Sequence, residues 1–361
     1  MWTVPANYLS ALSQSHGRYT RMEAWFNGAK VADLVPESGQ VQVTAKNRIR
    51  RMLSAVVSEA YWPTIGDPLD PSGAQLKVYQ GITGTNGNLI GSEVPIFTGR
   101  VETVQRQRLA GKLTVTALDP FGPVNDQQFE QPEAVPAGLL IQETIKGLIS
   151  NVVNVSFVDT TGIQVGLPVP VMWDTDRGAA IDELASALGA EVFFLPDGVT
   201  CTIRPIPVLG GTSVWTLTQG VNSTIVRDAQ TRSRTDVANR MIVHVEQPNQ
   251  TPFTVTISDD NPQSPTRYGG PYGKVVRHLS NPLISSYVQA EAAGRARLAR
   301  LIGVTRSREV DMVPNPALEA GDLITIVTDE GTEQHIVDSF ALPLAVSDVM
   351  TVTTRSTTSV S

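Results

Sequence analysis

The chain has 361 residues, of which 41% are hydrophobic and only 17% are charged, and it contains 29 glycines and 24 prolines. This length exceeds what one hydrophobic core usually supports, so several domains are expected. The low charge and the many turn-forming residues are typical of a β-rich protein. Because the net charge is −7, the chain lacks the basic surface that neutralises nucleic-acid phosphates, and no stable nucleic-acid binding is predicted.

From Tyr19 to Asp119 the hydrophobic pattern has a period of two residues, which predicts an antiparallel β-barrel or sandwich. A tight hairpin turn is expected at Gly111, before the last strand of this part. Residues 62–73 are rich in proline and glycine, which predicts an ordered loop or a contact surface. The predicted strands are residues 21–26, 40–45, 75–81, 94–105 and 112–118.

Near Pro136 the period changes, and a helix is predicted from this proline to about Ser150. One face of this helix is apolar and carries Ile141, Ile145 and Leu148. A second helix is expected between Asp176, a candidate N-cap, and Gly189, which suits a helix end. A hairpin over residues 191–206 follows, so this part is predicted to be a small α+β domain.

Beyond a linker at residues 209–212, the period of two returns and predicts a second β domain. Its long loop, residues 247–272, is expected to carry one strand. A helix is predicted from Ser286 to Ile302, opened by a capping box of Ser286 and Gln289. The predicted strands of this part are residues 214–217, 225–228, 241–246, 253–257, 308–312, 323–328, 333–340 and 348–354.

The predicted fold class is mainly β with an α+β insert. Two antiparallel, tube-like β-barrel domains, residues 1–130 and 211–361, flank the small α+β domain at residues 131–210. The second barrel domain also contains the long loop and one long helix, residues 286–302. Three arginines near the end of this helix, where the helix dipole favours cations, are expected at a subunit or partner contact. They are Arg295, Arg297 and Arg300.

The sequence contains no phosphate-binding loop, no zinc-binding His-Glu-x-x-His helix and no nucleophile elbow. The one cysteine, Cys201, excludes a disulfide framework, and its alternating surroundings favour a buried small side chain over a nucleophile. Four glycines lie between two strands with no helix after them, which favours a hairpin over a phosphate site. These are Gly81, Gly84, Gly87 and Gly91. No catalytic residue, cofactor or metal ion is predicted, and the chain is not expected to be an enzyme.

The histidines are scattered singly, and His244 and His335 lie in strand patterns, which favours strand-face positions over ligand roles. The four are His16, His244, His278 and His335. Asp174 and Asp176 could together bind a hard cation, but a helix N-cap explains Asp176 better. Asp259 and its neighbour Asp260 could imitate the carboxylate pair of a glycosidase, an interpretation that the sequence does not favour.

Several stretches, taken in their order, resemble the hub proteins of bacteriophage tail tips and baseplates. Residues 96–101 (IFTGRV) and 113–119 (LTVTALD) are similar to a run in the first barrel of that family in which the strand ends in aspartate. Residues 176–190 are similar to the helix and strand of its middle domain. Residues 308–326 resemble its closing region, where prolines stop one strand and Gly321-Asp322 turns the chain into the next.

The resemblance implies a homotrimer in which two tube-like barrels per chain form a ring of six, adapting the sixfold tail tube to a threefold tip. Such a ring would line the channel for the tape-measure protein and for DNA during genome ejection. The expected partners are the tail tube protein, a distal tail or tape-measure protein, and a central spike or fibre. The expected location is the virion tail tip or baseplate, after assembly in the host cytoplasm. No membrane anchor and no appended cell-wall-cutting domain are predicted.

Two further hypotheses stay open at this stage. A carbohydrate-binding or carbohydrate-cleaving tail protein would use tryptophans as sugar platforms, and at least two coplanar, exposed tryptophans beside a carboxylate pair would favour it. The candidate tryptophans are Trp25, Trp62, Trp173 and Trp215. An ordinary β-rich adhesin, by contrast, would have no tendency to form rings.

Overall fold

Most of the chain folds into β-sheet. The computed structural model describes residues 1–220, 223–234, 237–246, 251–302 and 306–356. Within these ranges the strands form one thirteen-stranded sheet, two three-stranded sheets and one two-stranded sheet. Five α-helices accompany them, and none is long and apolar enough to cross a membrane. The predicted mainly β fold class is therefore confirmed.

The N-terminal part contains the five strands predicted there and two more. It comprises α1 (Ala6–Ala11), β1 (Gly17–Phe26), β2 (Ala29–Leu34), β3 (Ser38–Thr44), β4 (Arg51–Ser58), β5 (Ala74–Thr83), β6 (Val94–Gln107) and β7 (Lys112–Leu118). The sequence prediction missed β2 because its side chains are mostly exposed. It missed β4 because a buried arginine, Arg51, opens that strand and breaks the expected apolar alternation. The turn at Gly111 is confirmed, with a left-handed φ of 64°.

The middle part mixes short helices and strands, as predicted. It comprises α2 (Phe121–Asp126), β8 (Glu133–Val135), α3 (Ile141–Ser150), β9 (Ser156–Asp159), β10 (Val171–Trp173), α4 (Arg177–Leu188), β11 (Ala190–Phe194) and β12 (Thr200–Pro205). The N-cap of α4 is confirmed, since Asp176 Oδ1 accepts a hydrogen bond from Ala179 N at 2.8 Å. The helix ends at Gly189, whose φ is 63°.

The predicted start of α3 at Pro136 is wrong. Val135, the residue before this proline, pairs with Val171 as part of β8, and a residue before proline disfavours helical geometry. The helix therefore begins at Ile141, where Thr144 N donates to Leu140 O at 3.0 Å. Its predicted apolar face is correct, because Ile141, Ile145 and Leu148 are all buried.

The C-terminal part contains the predicted strands, the predicted helix and one unpredicted strand, β17. It comprises β13 (Trp215–Thr218), β14 (Ile225–Arg232), β15 (Arg240–Val245), β16 (Phe253–Ser258), β17 (Val276–Ser280), α5 (Tyr287–Ile302), β18 (Arg306–Met312), β19 (Leu323–Thr328), β20 (Gly331–Pro343) and β21 (Met350–Ser356). The capping box of α5 is confirmed: Ser286 Oγ accepts from Gln289 N, and Gln289 Oε1 accepts from Ser286 N. Residues 247–250 of the predicted loop lie outside the described residues.

The two β-rich ends of the chain share a single sheet. Its strand order is β14-β18-β21-β20-β3-β4-β7-β6-β5-β1-β2, and β19 joins β13 to β20. The two ends meet where β20 pairs antiparallel with β3. Two side chains reinforce this junction, since Arg18 and Gln80 both donate to the carbonyl oxygen of Pro343. Among the described strands, no pairing closes either end into a barrel.

The buried side chains form two cores. The first core combines residues from both β-rich ends, for example Leu53 and Val352. The second core combines the middle part with β15, β16 and α5, for example Leu184 and Val243. The long helix therefore packs with the middle part of the chain. The domain boundaries near residues 130 and 210 stay a prediction, because a shared core does not define which segments fold alone.

Gly99 lies where β6 approaches β7 most closely. A Cβ at this position would overlap the carbonyl oxygen of Leu118 and the ring of Phe97. The backbone oxygen cannot move without breaking the ladder between β6 and β7. The glycine in the IFTGRV stretch is therefore required by the packing of two neighbouring strands.

We expect Gly99→Ala to lower the free energy of unfolding by more than about 2 kcal/mol, because the added methyl group would force two paired strands apart. The control is Gly147→Ala in α3, where a Cβ meets open space and helix propensity should raise stability by up to about 1 kcal/mol. Urea unfolding followed by circular dichroism measures both. Equal stabilities for the two variants would contradict this account of Gly99.

Candidate functional site

Asp119 fixes the backbone where β7, β4 and α2 meet. Its Oδ2 atom accepts hydrogen bonds from Arg50 N at 3.0 Å and Arg51 N at 2.8 Å. Its Oδ1 atom accepts from Phe121 N at 2.9 Å. Burial raises the pKa of Asp119 to about 6, although these N–H groups and the Arg51 side chain oppose the shift. The aspartate that ends the LTVTALD stretch therefore has a structural role.

Gly321 and Asp322 shape the turn that leads into β19. Gly321 has a φ of 85°, which favours glycine, and its N–H donates to Val337 O at 2.7 Å. Asp322 Oδ2 accepts from Glu319 N at 2.9 Å, and its Oδ1 accepts from the amino group of Met1 at 2.6 Å. This turn holds Glu319 in the interior, next to the start of β4.

Glu319 is buried between two arginines that are adjacent in sequence. Its Oε1 atom accepts from Arg50 Nε at 3.1 Å, and its Oε2 atom forms an ion pair with Arg51. Burial by itself would raise the pKa of Glu319, but Arg51 and Arg50 hold it below its ordinary value. The carboxylate therefore stays charged in the interior, where its two positive neighbours compensate the loss of water.

A second buried carboxylate extends this cluster into the middle part of the chain. Glu191 on β11 accepts from Arg204 Nε at 2.6 Å and from Arg300 Nη2 on α5 at 3.3 Å. It also lies 3.7 Å from Arg50 Nη1. The guanidinium of Arg50 lies 3.7 Å from the centre of the Phe193 ring. We refer to Arg50, Arg51, Glu191, Arg204, Arg300 and Glu319 as the buried ion network.

A polar cleft of about 370 Å³ opens beside the buried ion network. It lies between the loop at residues 45–48, α4, β11 and α5. Its charged lining residues are Lys46, Arg48, Asp182, Glu191, Arg297 and Arg300. Arg48 pairs with Asp182 at 2.9 Å, whereas Arg297 makes no ion pair with a described residue. Lys46, Arg48 and Arg300 pair with carboxylates of the chain. Among the described residues, Arg297 is therefore the cation of the cleft that is placed for an acidic group of a partner.

The three arginines predicted to act together have different surroundings. Arg295 is exposed and pairs with Glu291 one turn earlier, at 2.7 Å. Arg297 is exposed at the rim of the cleft. Arg300 belongs to the buried ion network, and burial lowers its pKa, opposed by Glu191. Only Arg295 and Arg297 are therefore placed for a contact outside the chain, and such a contact stays a prediction.

The remaining candidates for chemistry have structural surroundings. Cys201 is buried in the second core, and burial raises its pKa to about 12, which keeps the thiol unreactive. Asp259 is buried and accepts hydrogen bonds from Ser264 Oγ and Thr266 Oγ1, whereas Asp260 is exposed. Asp174 is also exposed, and the described residues contain no group of three or more metal-binding side chains.

His244 and His335 lie on strands, as predicted, but two histidines that are distant in the sequence are neighbours in the structure. His244 Nε2 and His278 Nδ1 lie 2.8 Å apart, because parallel pairing of β15 with β17 brings residues 34 positions apart together. The sequence prediction missed β17, so it could not place this pair. His335, by contrast, is buried on β20 and contacts Thr354 Oγ1 at 2.9 Å.

The four candidate tryptophans do not form a sugar platform. Trp215 is buried. Lys77 lies over the ring of Trp25 at 3.7 Å, and the Trp173 indole N–H donates to Glu183. Trp62 is the one exposed residue of the four, with 42% of its surface accessible. The arrangement of two exposed, coplanar rings that would favour carbohydrate binding is therefore not found among these four.

Sequence reasoning missed the buried ion network entirely. The adjacent arginines Arg50 and Arg51 before an apolar strand were one available signal, as was Glu319 within the run Ala317-Leu318-Glu319-Ala320. A charged residue inside an apolar stretch indicates a buried pair. The sequence alone does not identify the partner, because Arg51 and Glu319 lie 268 positions apart.

The fold is that of phage tail proteins. No family model and no curated protein sequence matches the chain. Among solved structures, the tail protein from Neisseria meningitidis MC58 superposes with a TM-score of 0.67 and 12% identity, covering 94% of this chain and 97% of that one. The 43 kDa tail protein of prophage MuSo2 from Shewanella oneidensis gives 0.61 and 10%, covering 93% and 98%.

A type VI secretion component has the same fold. The E. coli c3393 protein, described as structurally similar to T4 tail proteins gp27 and gp5, gives a TM-score of 0.54 and 9% identity, covering 93% of this chain and 77% of that one. The predicted resemblance to phage tail and baseplate proteins is thus confirmed at the level of the fold.

We expect Glu319→Gln to lower the free energy of unfolding by about 3–5 kcal/mol, because it leaves the buried Arg51 without a counter-charge and leaves Arg50 with only the more distant Glu191. The matched control is Glu291→Gln, which breaks the exposed pair with Arg295 and should cost no more than about 0.5 kcal/mol. Chemical unfolding of both variants measures the difference. A loss for Glu319→Gln as small as the control's would show that the network adds no net stability.

We expect the stability difference between the native chain and Asp119→Asn to depend on pH. Because the pKa of Asp119 is raised to about 6 in the folded state, the folded protein keeps this proton at pH values where the unfolded chain has lost it. The contribution is full at low pH and is lost as the pH rises through about 6, by an amount on the order of 2–3 kcal/mol.

Unfolding free energies of both proteins between pH 4 and 8, the interval that brackets the raised pKa of about 6, test this expectation. Subtracting the unfolding free energy of the variant from that of the native chain removes the contributions that the other carboxylates make to both. A difference that stays constant over this interval would contradict it.

Proposed function

We propose that the chain is a structural component of a phage-type tail tip or baseplate, acting as a hub and not as an enzyme. The observation that carries this proposal is the extent of the fold match, which covers 94% of this chain and 97% of the Neisseria tail protein. The match extends over nearly the whole of both chains, so the complete described fold, and not one local part of it, resembles that tail protein. The expected location is the virion tail, after assembly in the host cytoplasm.

The roles of the side chains support a structural function. Asp119, Asp176 and Asp259 each accept hydrogen bonds that hold the local backbone or loop. Glu191 and Glu319 are engaged by arginines. Carboxylates that serve as catalysts need access to a substrate, whereas these five are occupied within the chain.

The finer proposal is a homotrimeric ring. Each chain would offer two tube-like β units, near residues 1–130 and 211–361, and three chains would place six such units around a channel. The pairing of β20 with β3 supports this, because it joins the two units of one chain through a continuous sheet. The ring would adapt the sixfold tail tube to a threefold spike or fibre, and would contact a distal tail or tape-measure protein.

The open edges of the large sheet are the proposed surfaces between subunits. In the described part of the chain, β2, β13 and β14 each pair on one side only. An unpaired strand edge offers backbone donors and acceptors to a neighbouring strand. On β2, Lys30 pairs with Glu23 and Asp33 at the edge, a common way to discourage strand addition. Arg227 on β14 also forms ion pairs, with Glu309 and Asp311. Val226 on β14 is, however, more exposed than Val31 on β2 (64% and 45%), so we favour β14.

We expect the purified protein to have the mass of a trimer by light scattering, or to be a monomer that forms a threefold ring when mixed with its tail tube protein. Either result would support the hub function. A monomer that ignores the tube protein would contradict it. An array of glycans then tests the carbohydrate-binding alternative, for which Trp62 is the one exposed candidate.

We expect the double variant Arg295→Glu and Arg297→Glu to weaken ring assembly, because it replaces two positive charges by negative ones beside the polar cleft. Arg300 is excluded from this test, since its removal would disturb the buried ion network. The matched control is Lys146→Glu on α3, which also breaks a pair within one helix, here with Glu143. Assembly of the double variant as strong as that of the control would rule out a contact at these arginines.

A further inference from the structure

His244 and His278 form an imidazole pair on the three-stranded sheet of β16, β15 and β17. Their facing nitrogens are His244 Nε2 and His278 Nδ1, 2.8 Å apart. The ring centres are 5.1 Å apart, and the planes differ by 20°. With the nitrogens so much closer than the centres, the rings lie end to end in nearly one plane. The two nitrogens therefore point at each other.

The pair lies on the face of this sheet that α5 does not cover. Met241, Val243 and Val245 alternate with His244 along β15 and are buried in the second core, which also contains side chains of α5. His244 therefore lies on the opposite face. Its cross-strand neighbours there, Thr254 and Ser280, are exposed. His278 is exposed and His244 is half-buried, so ions in solution can reach both imidazoles.

The hydrogen bond between the two imidazoles does not by itself explain why their nitrogens face each other. Both rings are open to water, and an exposed hydrogen bond adds little net stability because water offers an equivalent partner. Neutral imidazole nitrogens are, in contrast, common ligands of divalent transition-metal ions, and here two of them converge on one point. Nitrogen ligands suit zinc, copper and nickel better than calcium or magnesium.

We propose that His244 and His278 bind one zinc-type divalent ion through His244 Nε2 and His278 Nδ1. Each ring would then carry its proton on the nitrogen that does not bind the ion. The proton that the two facing nitrogens now share would move to the far nitrogen of the same ring, so binding by neutral imidazoles releases no proton. A small rotation of the two side chains would separate the nitrogens and turn both lone pairs towards the ion. Water completes the coordination, since two imidazoles leave positions open.

The consequence would be a cross-link within the sheet. In the described residues β17 pairs only with β15, and their parallel pairing spans residues 276–280. A metal ion held by one residue of each strand would fasten this short edge strand to the centre of the sheet. Binding to the folded state alone raises stability with metal concentration.

The composition of the chain makes the test specific. It has four histidines and one cysteine. Cys201 and His335 are buried, and His16 Nδ1 lies 2.8 Å from Gln14 O, far along the chain from the pair. His16→Gln is therefore a matched control, since it removes one exposed histidine and leaves the pair intact.

The experiment is calorimetric titration of the tag-free protein with zinc chloride. We expect one zinc ion per chain, with a dissociation constant in the micromolar range. His244→Gln and His278→Gln should each abolish this binding, and His16→Gln should retain it. Glutamine keeps a polar side chain at an exposed position, so both variants should fold, which circular dichroism checks.

A thermal melt gives an independent measurement. Excess zinc should raise the melting temperature of the native chain and of His16→Gln, and EDTA should reverse the increase. The two variants of the pair should show no increase. Absence of saturable binding by the native chain, or binding that survives His244→Gln or His278→Gln, would overturn the proposal.

Discussion

Burial of the Glu319 carboxylate against Arg50 and Arg51 is the interaction on which much of the structure depends. Taking three charged groups out of water costs far more than any one hydrogen bond returns, so the arrangement persists only when all the partners are in place. The partners come from the two β-rich ends of the chain. Each end alone would leave an uncompensated charge in its interior.

The same constraint couples these ends to the middle part. Arg50 also faces Glu191, which Arg204 and Arg300 engage from β12 and α5. Phe193 supplies an aromatic ring beneath Arg50, and a cation above a ring is better stabilised in a dry environment than a bare charge. The two hydrophobic cores therefore meet at a polar centre. Its charged groups require a definite geometry, whereas apolar contacts alone would allow the two cores to shift against each other.

This centre also bears on the proposed function. A hub that connects a tube to a tip would need a firm junction between its parts, and charged groups with fixed partners resist displacement. The polar cleft beside the network lies at the outer boundary of the same centre, where Arg297 remains available to a partner. The buried ion network thus connects separate parts of the chain, while Arg297 in the polar cleft beside it is placed to pair with an acidic group of a neighbour.

The stretches that resemble phage hub proteins acquire a physical explanation in the structure. Gly99 allows two strands to approach, Asp119 holds three backbone N–H groups, and Gly321 with Asp322 positions Glu319. These residues shape the backbone, and none of them presents a reactive group to solvent. Short sequence stretches that contain no catalytic motif can therefore still indicate a particular backbone structure.

The sequence by itself determined the elements whose pattern is local: the alternating strands, the capped helices at Asp176 and Ser286, and the left-handed turn at Gly111. It failed where the pattern is weak or interrupted, as in β2, β4 and β17. Only the tertiary structure decided which strands pair, because the β20–β3 junction joins segments about three hundred positions apart. The buried ion network and the histidine pair depend on that pairing, since charge partners and strand registers are set by three-dimensional packing and leave no periodic trace in the chain.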